Sequence, residues 1–150
     1  MVILIRTDSS NNDFRGLVQL LDADLRIRDG EDHAFYAQFN KIDAIKNALV
    51  AYMENKPVAC GAFKPFGDKA VEIKRMYVQP DYRGQGIAKK IVGELENWAA
   101  ELGLQSSVLE TGQNQPEAIG LYQKLGYKKI PNYGQYANVT NSVCMQKVWL

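Results

Sequence analysis

A glycine-rich turn between a strand-like run and an amphipathic helix is the feature that most restricts how this chain can fold. The turn reads Val78-Gln-Pro-Asp-Tyr-Arg-Gly-Gln-Gly-Ile-Ala88 and follows the β-rich residues 71–78. After it, positions 87, 91, 95, 98 and 102 are apolar at steps of three and four, which is the spacing of one buried helix face. The first N–H groups of a helix lack partners within the helix and carry partial positive charge. Because glycine has no Cβ, Gly84 and Gly86 allow a phosphate to approach these N–H groups.

The hydrophobic periodicity elsewhere predicts a mixed α/β domain. Strands are predicted at 2–6, 48–53, 58–66, 70–78, 104–110, 127–130 and 142–149, and helices at 11–28 and 116–125, with a weaker helical segment at 32–39. The strands between residues 48 and 78 are expected to form an antiparallel meander. The helix after the glycine turn then brings the 104–110 strand back beside the 70–78 strand, so this pair is expected to be parallel.

The composition argues against several classes of function. A chain of 150 residues suits a single domain, 1–150, with a substantial core. A net charge of +1 gives no basic surface for nucleic acid or an anionic membrane, so neither partner is expected. One histidine, His33, and two cysteines supply a metal site poorly, and Cys60 and Cys144 lie in apolar runs typical of buried, reduced thiols. Without a membrane-spanning run or a secretory signal, a cytoplasmic location is expected.

Three phosphate-binding patterns compete for the glycine turn. A Walker A loop requires lysine and then serine or threonine after its last glycine, but Gly86 is followed by isoleucine and alanine. A dinucleotide fingerprint requires a third glycine where Lys89 stands, and an acidic residue about twenty positions later, where residues 105–106 are glutamine and serine. The remaining pattern is Arg83-x-x-Gly86-x-Ala88 after a hydrophobic strand.

This remaining pattern resembles the acyl-CoA loop of the GNAT acetyltransferase superfamily, whose signature is Q/R-x-x-G-x-G/A. The likeness begins near residue 48 and continues through Leu109-Glu-Thr-Gly112, Pro116-Glu-Ala-Ile-Gly-Leu-Tyr122 and Gly126-Tyr127, about two-thirds of the chain. The first forty-odd residues match only in the order of elements. The resemblance implies the GNAT fold: a mixed, mostly antiparallel sheet flanked by helices on both faces, with the parallel strand pair at the cofactor cleft.

The resemblance also implies acetyl-CoA as the acyl-donor co-substrate. Main-chain N–H groups of residues 83–88 are expected to bind the CoA diphosphate, and backbone groups of Met76 and Val78 to bind the pantetheine arm as an added strand. Family members often carry an asparagine seven residues before the tyrosine of the Leu-Tyr pair; here that residue is Gln115, with Asn114 beside it, and either amide is a candidate. The expected cofactor contacts are Met76, Tyr77, Val78, Arg83, Gly84, Gln85, Gly86, Ile87, Ala88, Asn114, Gln115 and Ala118.

Two residues are the expected catalytic groups under this resemblance. Tyr122 is expected to donate to the departing thiolate; with a phenol pKa of about 10 and a thiol pKa of about 8.5, full proton transfer is uphill by roughly 2 kcal/mol, so hydrogen bonding with late transfer is expected. Glu72 matches a strand glutamate of the family and is the candidate base, directly or through water. The alternative for Glu72 is a solvated carboxylate paired with Lys74 or Arg75.

The sequence leaves two alternatives for the face of the sheet to which each side chain of the 70–78 strand points. Strict alternation places residues 72, 74, 76 and 78 on one face and residues 71, 73, 75 and 77 on the other. A bulge near Met76, frequent in the family, breaks this register.

The implied reaction is direct transfer of acetyl from acetyl-CoA to a primary amine in a ternary complex. A small-molecule amine is the first expectation for the acceptor, and a protein amine is the second. The alternatives are an acyl-CoA-binding sensor or scaffold without efficient catalysis, and a structural domain without CoA affinity. The acceptor is expected near residues 25–39 and 131–141, where Tyr133 and Tyr136 either wall a pocket or cap the core. Both a monomer and a homodimer are compatible with the sequence.

Overall fold

The computed structural model describes residues 1–29 and 44–149, of which residues 28 and 29 are described by their backbone alone. The predicted helical segment at 32–39, including His33, and most of the expected acceptor segment at 25–39 lie outside the described residues. The strands are β1 (Ile3–Thr7), β2 (Asn47–Met53), β3 (Lys56–Phe66), β4 (Ala70–Val78), β5 (Ser106–Gly112), β6 (Lys128–Ile130) and β7 (Ser142–Val148). The helices are α1 (Asn12–Asp29), α2 (Ile87–Glu101) and α3 (Pro116–Lys124). Each predicted strand and helix within this part of the chain is confirmed to within two residues.

The strands form one seven-stranded sheet in the order β1-β2-β3-β4-β5-β7-β6. Strands β1 to β4 are an antiparallel meander, and β7 pairs antiparallel with both β5 and β6. The parallel pair is β4 with β5, joined through residues 70–72 and 106–108. The predicted meander and parallel pair are therefore confirmed.

The β2–β3 connection is tighter than the sequence suggests. Glu54 and Asn55 both adopt left-handed backbone conformations, with φ of 51° and 66°, as a two-residue hairpin turn of type I′ requires. Pro57 consequently lies within β3, opposite Tyr52, rather than in the turn.

Helices cover both faces of the sheet and bury two separate apolar clusters. On one face, α1 packs Phe14, Leu17 and Val18 against β2, β3 and β4. On the other face, α2 buries Ile91 and Leu95 against the sheet, and α3 packs at its side. The predicted mixed sheet with helices on both faces is confirmed.

A β-bulge at Arg75 interrupts the pairing between β3 and β4. Arg75 has a φ of 62°, in the left-handed region. Ala62 lies opposite Lys74, but Cys60 lies opposite Tyr77, so β4 contains one extra residue between these pairs. The Cys60 thiol donates to the Arg75 carbonyl oxygen at 3.2 Å, which stabilises the bulged backbone.

The bulge reverses the faces to which β4 side chains point. Upstream, Val71 and Ile73 pack in the cluster beneath α2. Downstream, Met76 and Val78 pack against that same cluster, whereas Tyr77 joins the cluster beneath α1. Strict alternation, with residues 72, 74, 76 and 78 on one face, does not hold, and the predicted bulge near Met76 is confirmed.

Close packing opposite the bulge makes Gly61 a test of this core. A Cβ at Gly61 would come within 2.6 Å of the Met76 Sδ and 2.7 Å of the Ile91 Cγ2. We predict that Gly61→Ala lowers the free energy of unfolding by about 1–3 kcal/mol, because the core must shift to admit a methyl group. Gly93→Ala in α2, where a Cβ meets no atom within 4 Å, should raise it by roughly 0.5–1 kcal/mol. Denaturant unfolding measures both, and an undiminished stability of Gly61→Ala would contradict the described packing.

Candidate active site

A cleft opens where β4 and β5 separate. The two strands pair over only three residues each, so they diverge beyond Glu72 and Val108. The resulting cleft has a volume of about 450 Å³. Its walls come from the second half of β4, the glycine loop and the start of α2, from the end of β5 and α3, and from the α1 residues Leu21, Asp24 and Leu25. The cleft therefore receives residues from both faces of the sheet.

The glycine loop presents its main chain to this cleft. Gly84 and Gly86 both have a φ of 80°, which favours glycine, and Gly86 is the N-cap residue of α2. The first hydrogen bond of the helix runs from the Lys90 N–H to the Gly86 carbonyl oxygen at 3.1 Å. A Cβ on either glycine would meet no protein atom within 4 Å. The loop backbone thus borders open space next to unpaired helix N–H groups, which fits a phosphate.

Arg83 connects the loop to the edge of β4. Its N–H donates to the Pro80 carbonyl oxygen at 3.3 Å, at the end of a short 3-10 helix, Pro80–Tyr82. Its Nε donates to the Val78 carbonyl oxygen at 2.8 Å, and its Cζ lies 5.6 Å from the centre of the Tyr77 ring. Arg83 therefore supports the loop by its side chain, and the available N–H donors are those after it.

Tyr122 lies on the opposite wall, on α3. Pro116 begins this helix, and Gly126, with a φ of 97°, follows its end. The Tyr122 side chain is only 6% exposed, and its ring makes a T-shaped contact with Tyr127 at 5.7 Å between centroids. Burial raises the pKa of Tyr122 well above its ordinary value, so the phenol is a hydrogen-bond donor throughout the neutral range.

Glu72 lines the cleft at the point where β4 leaves β5, and it has two polar neighbours. The Tyr133 hydroxyl donates to Glu72 Oε2 at 2.7 Å. The Lys74 ammonium lies 3.8 Å from Glu72 Oε1. Burial lowers the pKa of Lys74, while the adjacent Glu72 carboxylate acts in the opposite direction. The carboxylate is thus part of the cleft wall and is also an ion-pair partner, as the alternative interpretation of Glu72 suggested.

Residues 14–127 match the family model described as the acetyltransferase (GNAT) family. The chain belongs to the GNAT acetyltransferase family. This confirms the resemblance drawn from the glycine loop and the Leu-Tyr helix.

Two curated relatives show how far the sequence likeness extends. An IAA acetyltransferase of Azospirillum brasilense is 36% identical over 100 residues, covering 66% of this chain and 65% of the relative. N-acetyltransferase family 8 member 2 of Rattus norvegicus is 41% identical over 69 residues, covering 46% of this chain and 30% of the relative. The GNAT chain thus spans between about a third and two-thirds of the length of these two relatives.

Solved structures confirm the GNAT fold over the whole chain. A proposed acyl-CoA N-acyltransferase from Klebsiella pneumoniae has a TM-score of 0.84 at 27% identity, covering 100% of this chain and 99% of that one. PaiA N-acetyltransferase from Thermoplasma acidophilum, in complex with coenzyme A, has a TM-score of 0.74 at 16% identity, covering 99% of both chains. The second likeness bears on the fold alone.

The cleft of this GNAT protein contains most of the residues expected from the sequence. The expected residues that line it are Glu72, Met76, Tyr77, Val78, Arg83, Gly84, Gly86, Ile87, Ala88, Gln115, Ala118 and Tyr122. Gln85 and Asn114 are exposed and lie outside the lining. The sequence interpretation did not include Glu110 and Thr111 of β5, nor Leu21, Asp24 and Leu25 of α1. Hydrophobic periodicity describes each helix or strand by itself, so it does not show which of its residues will border a cleft formed with other elements.

Within the described residues, no group of three histidine, cysteine, aspartate or glutamate side chains could hold a metal ion. None of the helices in residues 1–29 and 44–149 is long and apolar enough to cross a membrane.

Both thiols of the GNAT protein should be unreactive in the folded state. Cys60 and Cys144 are free and buried, and burial raises the pKa of Cys60 to about 12 and the pKa of Cys144 in the same direction. We predict that a chromogenic disulfide reagent at pH 8 titrates neither thiol in native protein and both in guanidinium, because the reactive thiolate is absent and inaccessible. Rapid native titration of either cysteine would contradict its described burial.

Proposed function

We propose that this protein transfers an acetyl group from acetyl-CoA to the primary amine of a small molecule, directly and within a ternary complex. The observation that carries the proposal is one cleft that joins the glycine loop, the buried Tyr122 and Glu72. Its volume of about 450 Å³ lies in the range of small-molecule sites. Family membership and the relatives named as acetyltransferases support the same chemistry.

The loop and β4 are suited to hold the donor. Main-chain N–H groups of Gly84, Gln85, Gly86, Ile87 and Ala88 would donate to the diphosphate, with Arg83 holding the loop in place. Beyond Glu72, β4 has no strand partner on the β5 side among the described residues, so its edge can pair with the pantetheine amides. On α3, Gln115 and Ala118 line the same cleft, and Gln115 is a better amide candidate than the exposed Asn114.

Glu72 and Tyr122 assist opposite sides of the reaction, the amine and the departing sulfur. Acetyl-CoA supplies an activated thioester, whose carbon–sulfur bond breaks as the amine nitrogen bonds to the carbonyl carbon. Glu72 removes a proton from the ammonium, directly or through water, because only the free amine has a lone pair. The attacking nitrogen loses a second proton as the amide forms, and the departing thiolate takes up one proton to leave as the free thiol of CoA. The Tyr122 hydroxyl donates to the sulfur that leaves; its raised pKa makes full proton transfer costlier than for a free phenol, which favours hydrogen bonding.

Direct transfer agrees with the state of the two cysteines. Neither Cys60 nor Cys144 lines the cleft, and both are buried with a raised pKa. Neither is therefore suited to carry the acetyl group as a covalent intermediate.

The proposed function is tested by a thiol-release screen with acetyl-CoA and amines of different classes. The panel comprises spermidine, single amino acids, kanamycin and a lysine-containing peptide, each at several pH values. Release of CoA with an acetylated amine supports the transferase, and the accepted class identifies the acceptor. Binding of CoA without release against any amine would favour an acyl-CoA-binding sensor or scaffold.

Replacement of Gly86 tests the loop assignment. We predict that Gly86→Asp weakens CoA binding about tenfold or more, because a carboxylate would enter the space next to the helix N-terminus and repel the diphosphate. Gly67→Asp is the matched control: Gly67 has a φ of 69°, its Cβ would also meet no atom, and it lies outside the cleft. Isothermal titration calorimetry with CoA measures both. Equal affinities in the two variants would remove the loop from the binding site.

Replacement of Tyr122 tests the donor to sulfur. We predict that Tyr122→Phe lowers kcat about tenfold or more with little change in acetyl-CoA affinity, because the ring stays and only the acid is lost. Tyr127→Phe is the control, since its ring contacts Tyr122 while its hydroxyl bonds Ser107 and Glu96 outside the cleft. That variant should lose stability and keep kcat. Wild-type turnover in Tyr122→Phe would exclude the tyrosine from the mechanism.

A further inference from the structure

We propose that Tyr133 is a positioning residue for Glu72, holding the carboxylate in one orientation at the wall of the cleft. The inference rests on the proposed function, in which Glu72 is the base. It assigns a role to a residue outside the cleft, on the loop between β6 and β7.

Only one of the two residues borders the cleft. Glu72 lines the cleft, and Tyr133 does not. The Tyr133 hydroxyl reaches Glu72 Oε2 at 2.7 Å across 61 residues of sequence. With Oε2 engaged, the remaining oxygen, Oε1, is the one directed toward Lys74. Tyr133 therefore acts on the reaction only through Glu72.

The Tyr133 ring is fixed before any substrate binds. It makes T-shaped contacts with Phe66 at 4.8 Å and with the buried Tyr136 at 6.0 Å between centroids. Behind it, the Asn132 side-chain amide donates to the carbonyl oxygens of Val139 and Ser142 at 2.9 and 3.0 Å, which closes the loop on itself. Because the ring is held on several sides, its hydroxyl aims at Glu72 with little loss of conformational freedom.

The electrostatic surroundings explain why a neutral donor suits this place. Among the described residues, the charged and titratable groups in the surroundings of the carboxylate are Lys64 on β3, Lys74 and Arg75 on β4, Glu110 on β5, Cys144 on β7 and Tyr136 on the β6–β7 loop. Burial, and then the charge of Glu72, raises the pKa of Tyr133, so its hydroxyl keeps its proton. A neutral donor holds the carboxylate without adding another charge to a site that, in the proposed function, must admit an ammonium group.

The test is Tyr133→Phe, which keeps the ring and removes the hydroxyl. Tyr52→Phe is the matched control: the Tyr52 hydroxyl donates to Asp13 Oδ2 at 2.6 Å, outside the cleft. With the amine that releases thiol fastest in the screen, Tyr133→Phe should lower kcat about tenfold, the usual effect of losing one hydrogen bond to a charged group. The KM for acetyl-CoA should stay unchanged. Tyr52→Phe should match wild type in both.

Combination with Glu72→Gln identifies the route of the effect. If Tyr133 acts through Glu72, the double variant is no slower than Glu72→Gln alone. Multiplied losses in the double variant would overturn the inference, as would an unchanged kcat in Tyr133→Phe with only a lowered melting temperature. Wild-type kinetics of Tyr133→Phe in an active enzyme refute the inference alone. A wild-type protein that releases no thiol with any amine refutes the proposed function and this inference with it.

Discussion

The backbone turn at Arg75 is the constraint on which the site depends. Its left-handed φ of 62° inserts one extra residue into β4 and bends the strand. The bend follows the last pairing of β4 with β5, so it coincides with the opening of the cleft between them. It also turns Met76 and Val78 toward the α2 face and Tyr77 toward the α1 face. A regular strand would continue along β5 and leave no space for two substrates to meet.

The two ends of the cleft differ in electrostatic character, and this difference fits two unlike ligands. At one end, main-chain N–H groups after Arg83 and the positive end of α2 favour a diphosphate. At the other, Glu72 and Glu110 line the cleft together with Lys74, and the two carboxylates suit an entering ammonium. The buried Tyr122 lines the same cleft and supplies a proton donor with no net charge. The cleft thus combines a positive end for the diphosphate, a negative end for the ammonium and a neutral proton donor on its wall.

The order and bounds of most elements could be predicted because glycine and proline mark them. Gly86 precedes α2, Gly103 follows it, and Pro116 and Gly126 bracket α3. The glycine loop and the Leu-Tyr helix could also be predicted, since each has a characteristic residue pattern at a fixed place in the order of strands and helices. These local signals explain why most of the residues expected to bind substrates lie in the lining of one cleft.

The parts that could not be predicted depend on long-range pairing. The left-handed backbone of Arg75 is one such part: the polar–apolar alternation breaks at residues 74–75, but the break does not show which residue adopts a conformation that arginine rarely takes. The bond between Tyr133 and Glu72 requires that β7 lie beside β5, with the loop before it carried across to β4. Periodicity describes each strand by itself, so it contains neither the register between strands nor the contacts of a loop 61 residues away.

The central claim is that main-chain amides at the start of α2 bind the diphosphate of CoA, and heteronuclear NMR with added CoA tests it most directly. The account predicts that the amide resonances of Gly84, Gly86 and Ala88 shift most. Those of Gly67 and Gly93, which lie outside the cleft, should stay in place. Saturable binding of CoA with unmoved loop amides and shifts confined to another surface would contradict the account.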